Sequence, residues 1–361
     1  MKTRSLLLNV LSSLLLGMGI TACSDVDGDD EPIIDPTDYP AYILNEGAWE
    51  KNNAKISRFF PNYKVTIERD YYKKMNKKQL GDLANTMMEE DNNIYVVVSG
   101  SKYIARLNSN CIEEARYTFP QGEGEPRCMD IEDDYVYVTQ HGGQVSKLNA
   151  HTLELVSTFK GGDNLEGIVE KDGKLYVANS WKGIYDYNQE ILVINAETMT
   201  KTGSITVALN PVQVQELNDQ IYVISQGNYK DVEAVLQVLD LQAGTSKEIA
   251  HNVDKITVGH NGFIYGVRST FDANSNPVNS FFTYHPKTDK ISETSFLQDA
   301  PSSFSTTAIY LLEVGGERDF IYVGTSDYQT YGTIYQFDAS GKLIQSFDSG
   351  GFNPNTMVFI D

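Results

Sequence analysis

Hydrophobic positions along the chain come in short alternating runs, and seven of these runs carry a tyrosine among aliphatic or small residues. They are Tyr42-Ile43-Leu44, Ile94-Tyr95-Val96, Val136-Tyr137-Val138, Leu175-Tyr176-Val177, Ile221-Tyr222-Val223, Ile264-Tyr265-Gly266 and Ile321-Tyr322-Val323. Each is bounded by polar turn residues, the pattern of a strand whose successive side chains point to opposite faces. The successive tyrosines are 53, 42, 39, 46, 43 and 57 residues apart. A strand unit that returns every ~40–50 residues marks a repeat architecture, and a β-propeller in particular.

Within one unit the pattern predicts four strands. Ile94 to Ser99 is followed by Tyr103 to Leu107, then Glu114 to Phe119. After a break at Gly122-Glu123-Gly124-Glu125-Pro126, Cys128 to Ile131 leads into the next tyrosine strand. In a propeller the strand after the break is the innermost, A, and the tyrosine strand is B. The domain thus begins on a B strand at Tyr42 and ends on an A strand, Thr356 to Ile360, with about 46 residues per blade. The predicted fold is all-β: a seven-bladed propeller with four antiparallel strands per blade, its first blade closed by the C-terminal strand. Closure of this kind removes the open edges of a linear array. Both faces of a blade are covered by neighbours, so the seven tyrosines read as scaffold.

Residues 1–22 have a different pattern. Lys2 and Arg4 precede an apolar run from Leu6 to Ile20, which ends in Thr21-Ala22-Cys23. This is a signal peptide in form. Its end resembles the lipobox of bacterial lipoproteins, in which Cys23 is lipidated. Residues 23–40 are acidic and Pro-rich, a solvated tether without core-forming residues. The acidic run after Cys23 resembles the export signal of surface lipoproteins in gut-type Gram-negative bacteria. The expected organisation is a signal peptide at 1–22, a tether at 23–40 and a propeller at 41–361. The expected location is the outer membrane, lipid-anchored and surface-exposed.

Charge narrows the partners. The chain carries −20, and loss of Lys2 and Arg4 with the signal peptide makes it −22. Such a surface repels nucleic acid and other polyanions and leaves neutral or cationic ligands. Of the three cysteines, Cys111 and Cys128 fall at opposite ends of their strands, too far apart for a disulfide.

The two faces of the propeller differ in composition. The A-to-B turns are short: Asp133-Asp134, Asp172-Gly173, Asn218-Asp219 and Asn261-Gly262. The B-to-C connections on the other face are longer and aromatic, and hold both tryptophans of the chain. Loops on a rigid scaffold are where binding residues concentrate. The candidate ligand-binding residues are Asn45, Trp49, Asn53, Tyr103, His141, Asn179, Trp181, Tyr185, Tyr187, Tyr229, Phe271, Tyr328 and Tyr331. Aromatic rings offer flat contact area at low entropic cost, and the amides add donors and acceptors. This suits a flat small molecule that hydrogen-bonds at several points. No catalytic or metal-binding constellation is read: only His141 of the five histidines lies on this face, and nucleophile-elbow and phosphate-loop motifs are absent.

With these features the chain resembles the YncE-like seven-bladed propellers. Within them it is similar to surface lipoproteins of Bacteroidota whose first repeat reads LNEG…NNA, here Leu44-Asn45-Glu46-Gly47 and Asn52-Asn53-Ala54. That set includes the cobalamin-binding BtuG group. The resemblance implies capture of cobalamin (vitamin B12) or a related corrinoid, as ligand rather than cofactor. It also implies handover to a TonB-dependent outer-membrane transporter. A corrin is flat, amide-bearing and not a polyanion, which agrees with the face and the charge. A glycan-binding lipoprotein, a propeller lactonase or lyase, and a scaffold for another surface protein remain open as alternatives.

Overall fold

The computed structural model describes residues 39–259 and 261–360. Cys23, the segments predicted at 1–38, and His260 lie outside the described residues. Seven antiparallel sheets form the blades. Six have four strands, running outward from the innermost. The second blade consists of Ala84–Glu90, Asn93–Val98, Tyr103–Asn108 and Glu113–Thr118. The first blade is closed from both ends of the domain. Pro354–Phe359 supplies its innermost strand and pairs with Ala41–Asn45, which pairs in turn with Lys55–Phe59. The propeller predicted from the tyrosine spacing is therefore the architecture, with the C-terminal strand completing blade one.

The fourth position of blade one has its own construction. A single bridge, Arg58 to Glu68, stands where the other blades have an outer strand. Two glutamines of blade seven take up backbone groups there instead. Gln336 Nε2 donates to Pro61 O at 2.9 Å. Gln345 Nε2 donates to Tyr63 O, and its Oε1 accepts from Val65 N–H, both at 3.0 Å. Buried peptide groups must find partners, and here side chains provide them where a ladder does not.

The core lies between blades, as seven separate apolar clusters, one for each interface. Period-two alternation assigns the sides. Tyr42 and Leu44 pack toward blade two, while Ala41 and Ile43 pack toward blade seven. All seven tyrosines face the following blade, and none is more than 8% exposed. In blades one and two the hydroxyl explains why the residue is tyrosine and not phenylalanine. Tyr42 Oη donates to Ser109 O at 2.8 Å and Tyr95 Oη to Ala150 O at 3.1 Å, each in the third-to-outer turn of the next blade. Blade three makes the same link with a different residue: Lys147 Nζ donates to Ala196 O at 2.9 Å.

The short A-to-B turns follow from their residues. Asp91-Asn92, Asp172-Gly173 and Asn218-Asp219 all have positive φ. Two such residues in succession give a hairpin turn whose twist matches the strands, and Asn, Asp and Gly tolerate that backbone. Cys111 and Cys128 are free thiols. Burial raises both, Cys128 to about 11.

Candidate functional site

The seven innermost strands share one irregularity. Each has a β-bulge near its start, on the side of the B-to-C loops. The register skips Asn85, Val212, Asp254, Tyr310 and Asn355 in five of them. In the other two it skips the pairs Arg127-Cys128 and Glu166-Gly167. A bulge leaves its extra residue unpaired and re-aims the side chain, and bulges concentrate at barrel rims and binding sites. Here all seven surround the mouth of the central channel. Two positions on, the residue is always apolar and buried: Met87, Met129, Ile168, Val214, Ile256, Leu312 and Met357.

Hydrogen bonds run around this mouth from blade to blade. Asn355 Nδ2 donates to Ala84 O at 2.9 Å and Asn85 O at 3.1 Å. Arg127 Nε donates to Glu166 Oε2 at 3.0 Å, and His141 Nε2 meets Glu166 Oε1 at 2.9 Å. Gln213 Nε2 donates to Asp254 O at 3.0 Å. Between blades seven and one, Tyr310 Oη donates to Glu46 Oε2 at 2.5 Å. The electrostatics differ between the two carboxylates. Burial raises Glu46, and Tyr310 and Arg127 only partly offset it. Burial also opposes the charge of Glu166, but His141 and Arg127 outweigh it and hold that carboxyl below its ordinary range.

Aromatic side chains rim this polar mouth. Seven aromatic residues stand well out into solvent among the described residues. Six are on the B-to-C side: Trp49, Tyr185, Tyr229, Tyr328 and Tyr331 on connections, and Phe271 as the last residue of its strand. Trp181 lies edge-on to His141, with ring centres 5.8 Å apart. Tyr187 and Tyr229 meet at 6.1 Å, and Tyr328 meets Tyr310 at 5.8 Å. The Tyr229 ring is exposed while its hydroxyl turns in toward Asn210, and burial there raises it.

Several of these loops are shaped by their own side chains. Asn228 Oδ1 accepts from the N–H groups of Lys230, Asp231 and Val232. Asp272 Oδ1 accepts from Asn274 and Asn276, and Asp327 Oδ1 from Gln329 and Thr330. The Trp49 loop is held by Asp82, whose carboxylate accepts from Glu50 N at 2.9 Å and Asn52 N at 3.2 Å. Loops fixed in this way lose less entropy when a ligand arrives.

Four of the candidates lie beneath this surface. Asn45 is fully buried; its Nδ2 donates to Ser349 O and its Oδ1 accepts from Ser349 Oγ. Asn179 is buried between Asp163 N and Glu190 Oε1. Asn53 Oδ1 accepts from Ala48 N inside its own loop. Tyr103 is buried under the Arg116 guanidinium, and its hydroxyl donates to Leu80 O. These four hold the loops in place through hydrogen bonds within the protein. The bulge residues are the functional candidates that the B-to-C loops alone do not reveal, and they join Glu46, which lies on the first of those loops. The signal for them is a recurring tetrad with a fixed apolar fourth position, as in Ala84-Asn85-Thr86-Met87, Pro126-Arg127-Cys128-Met129 and Pro354-Asn355-Thr356-Met357.

On the opposite face, a shallow hollow is lined by Glu89, Val314, Gly315, Gly316, Glu317, Val358 and Phe359. It has one aromatic ring and none of the bulged side chains, so the loop face is the better candidate.

Fold and site together define a seven-bladed β-propeller with an aromatic rim around a polar channel mouth. Residues 39–190 match the model of a family described as a domain of unknown function, DUF5074. No curated protein matches the chain. Among solved structures the chain is similar to hydrazine synthase of Kuenenia stuttgartiensis, at 15% identity over 69% of this chain and 74% of that one, with a TM-score of 0.56. It is also similar to U3-55K, at 11% identity over 73% and 81%, with a TM-score of 0.53. The WD40 domain of Neurospora crassa Pan2 matches at 11% identity over 72% and 78%, with a TM-score of 0.51. At these identities the likeness is one of fold.

Proposed function

We propose that the protein is a binding lipoprotein whose B-to-C loop face captures a flat, amide-bearing small molecule, cobalamin or a related corrinoid. The observation that carries this reading is the segregation of exposed aromatic rings onto one face, around a mouth that offers both donors and acceptors. Exposed apolar patches on soluble domains mark interaction sites. Flat rings set around a polar centre match a macrocycle with a hydrophobic plane and a polar edge. The strongly acidic chain disfavours polyanionic ligands. In this reading Cys23 carries the lipid anchor, residues 24–40 are the tether, and the partner that accepts the ligand is a TonB-dependent outer-membrane transporter. Glycan capture by Trp49 and Trp181 is the second reading, favoured by the exposure of Trp49.

Size-exclusion chromatography of the protein mixed with cyanocobalamin tests the proposal. Co-elution of the red chromophore with the protein peak is the expected result. A colourless protein peak at micromolar concentrations of both components would contradict it, and retention on a glycan column would favour the second reading.

A further inference from the structure

Resting on that reading, we propose that the channel mouth is a recognition well for the carboxamide groups of the ligand, and that it sets the specificity of the loop face. The aromatic rim accounts for affinity toward a flat surface but does not discriminate between polar substituents. The mouth can discriminate, because its groups alternate in character. Glu46 is an acceptor held by Tyr310 on one oxygen. Arg127 and Lys255 bring donors and positive charge, and Glu46 feels the field of both. A partly buried carboxylate with only one oxygen engaged favours a ligand that brings a donor to it.

The charge pattern selects among donors. Arg127 and Lys255 repel an ammonium group brought into the mouth. Glu46, Glu166 and Asp254 repel a carboxylate. A carboxamide is neutral and places an N–H donor next to a carbonyl acceptor, so it satisfies both kinds of group without a charge penalty. Sites built to hydrogen-bond a substituent reject its isosteres more strongly than sites built of apolar contacts alone. The bulges suit this role physically. They set an unpaired residue at the mouth while the buried apolar residue two positions on keeps each strand in the blade.

The test compares cyanocobalamin with its positional monocarboxylates, in each of which one peripheral carboxamide is hydrolysed to an acid. Wild-type protein, Glu46→Gln and Tyr310→Phe are titrated with each, with circular dichroism to establish that the variants are folded. In the wild type at least one monocarboxylate is expected to bind tenfold or more weaker than cyanocobalamin. Glu46→Gln exchanges an acceptor-only group for one that also donates. It should weaken cyanocobalamin binding and strengthen binding of that monocarboxylate, a reversal that loss of structure does not produce. Tyr310→Phe, which frees the second oxygen of Glu46, should widen the discrimination. Equal binding of amide and acid by the wild type, or unchanged ratios in both variants, overturns the well while leaving capture by the loop face standing. Absence of cyanocobalamin binding by the wild type overturns the capture reading and this inference with it.

Discussion

At the scale of single residues, the same amino-acid types serve two different ends, and burial separates them. Asn45 and Trp49 are four positions apart in one loop region. The Asn45 amide is spent on Ser349 across the chain closure, whereas the Trp49 ring stands in solvent. Asn45→Ala should therefore lower stability by about 1–3 kcal/mol in denaturant unfolding, since it takes the Asn45 amide away from the buried Ser349 carbonyl, while the Ser349 hydroxyl keeps Gly351 O. Trp49→Ala should leave stability within about 0.5 kcal/mol of wild type. From sequence alone both residues read as loop-face candidates, because a buried amide and an exposed one look the same in a polar stretch. The same holds for Asn179. The bulged positions were illegible for the opposite reason: Asn, Arg, Glu, Val, Asp, Tyr and Asn share one structural position and no common chemistry.

Two carboxyl groups in the innermost strands add a pH dependence. Burial raises Asp130 and Glu313 to about 7. Asp130 accepts from Glu170 N at 2.5 Å and Glu313 from Thr257 Oγ1 at 3.2 Å. A carboxyl whose folded-state value is raised binds its proton more tightly in the folded protein. Its contribution is fully present below its ordinary value near 4 and is lost as pH rises through about 7. These two groups therefore favour the folded state increasingly as pH falls from about 8 to about 5, with a limiting slope of ~1.4 kcal/mol per pH unit for each. Asp130→Asn with Glu313→Gln should raise the melting temperature at pH 8 and flatten its dependence across that window. A melting curve series that leaves the slope unchanged would show that these carboxyls keep their ordinary values.

At the scale of elements, the tyrosine strand was the legible part, because its alternation and its turns are local. Asp172-Gly173 and Asn218-Asp219 announce their hairpins in two residues. The outer segment of blade one was not legible, because its partners Gln336 and Gln345 lie some 275–282 residues away along the chain. The C-terminal strand bears most directly on stability, since it joins the chain ends. Met357 is 4% exposed between blades one and seven, whereas Ile344 on an outer strand is 49% exposed. Met357→Ala should cost about 2–5 kcal/mol through the cavity it leaves, and Ile344→Ala about 0.5 kcal/mol or less. Equal costs in urea unfolding would mean that blade closure is not what holds the ring.

At the scale of the whole molecule, the fold positions a face rather than a cleft. Seven interfaces fix the blades, the bulges place an unpaired residue of each innermost strand at the mouth, and self-shaped loops raise aromatic rings around it. The tall aromatic connections belong to blades one and four to seven. Blades two and three carry short ones, Ser99 to Lys102 and His141 to Gly143, so the wall is lower on that side. This face is the proposed ligand site. Calorimetric titration of cyanocobalamin into the wild-type protein and into Trp49→Ala/Phe271→Ala tests it most directly. The expected result is one site per chain in the wild type and an affinity at least tenfold weaker in the double variant, with unchanged thermal stability. Binding of equal affinity in both proteins, or no binding to the wild type, would contradict it.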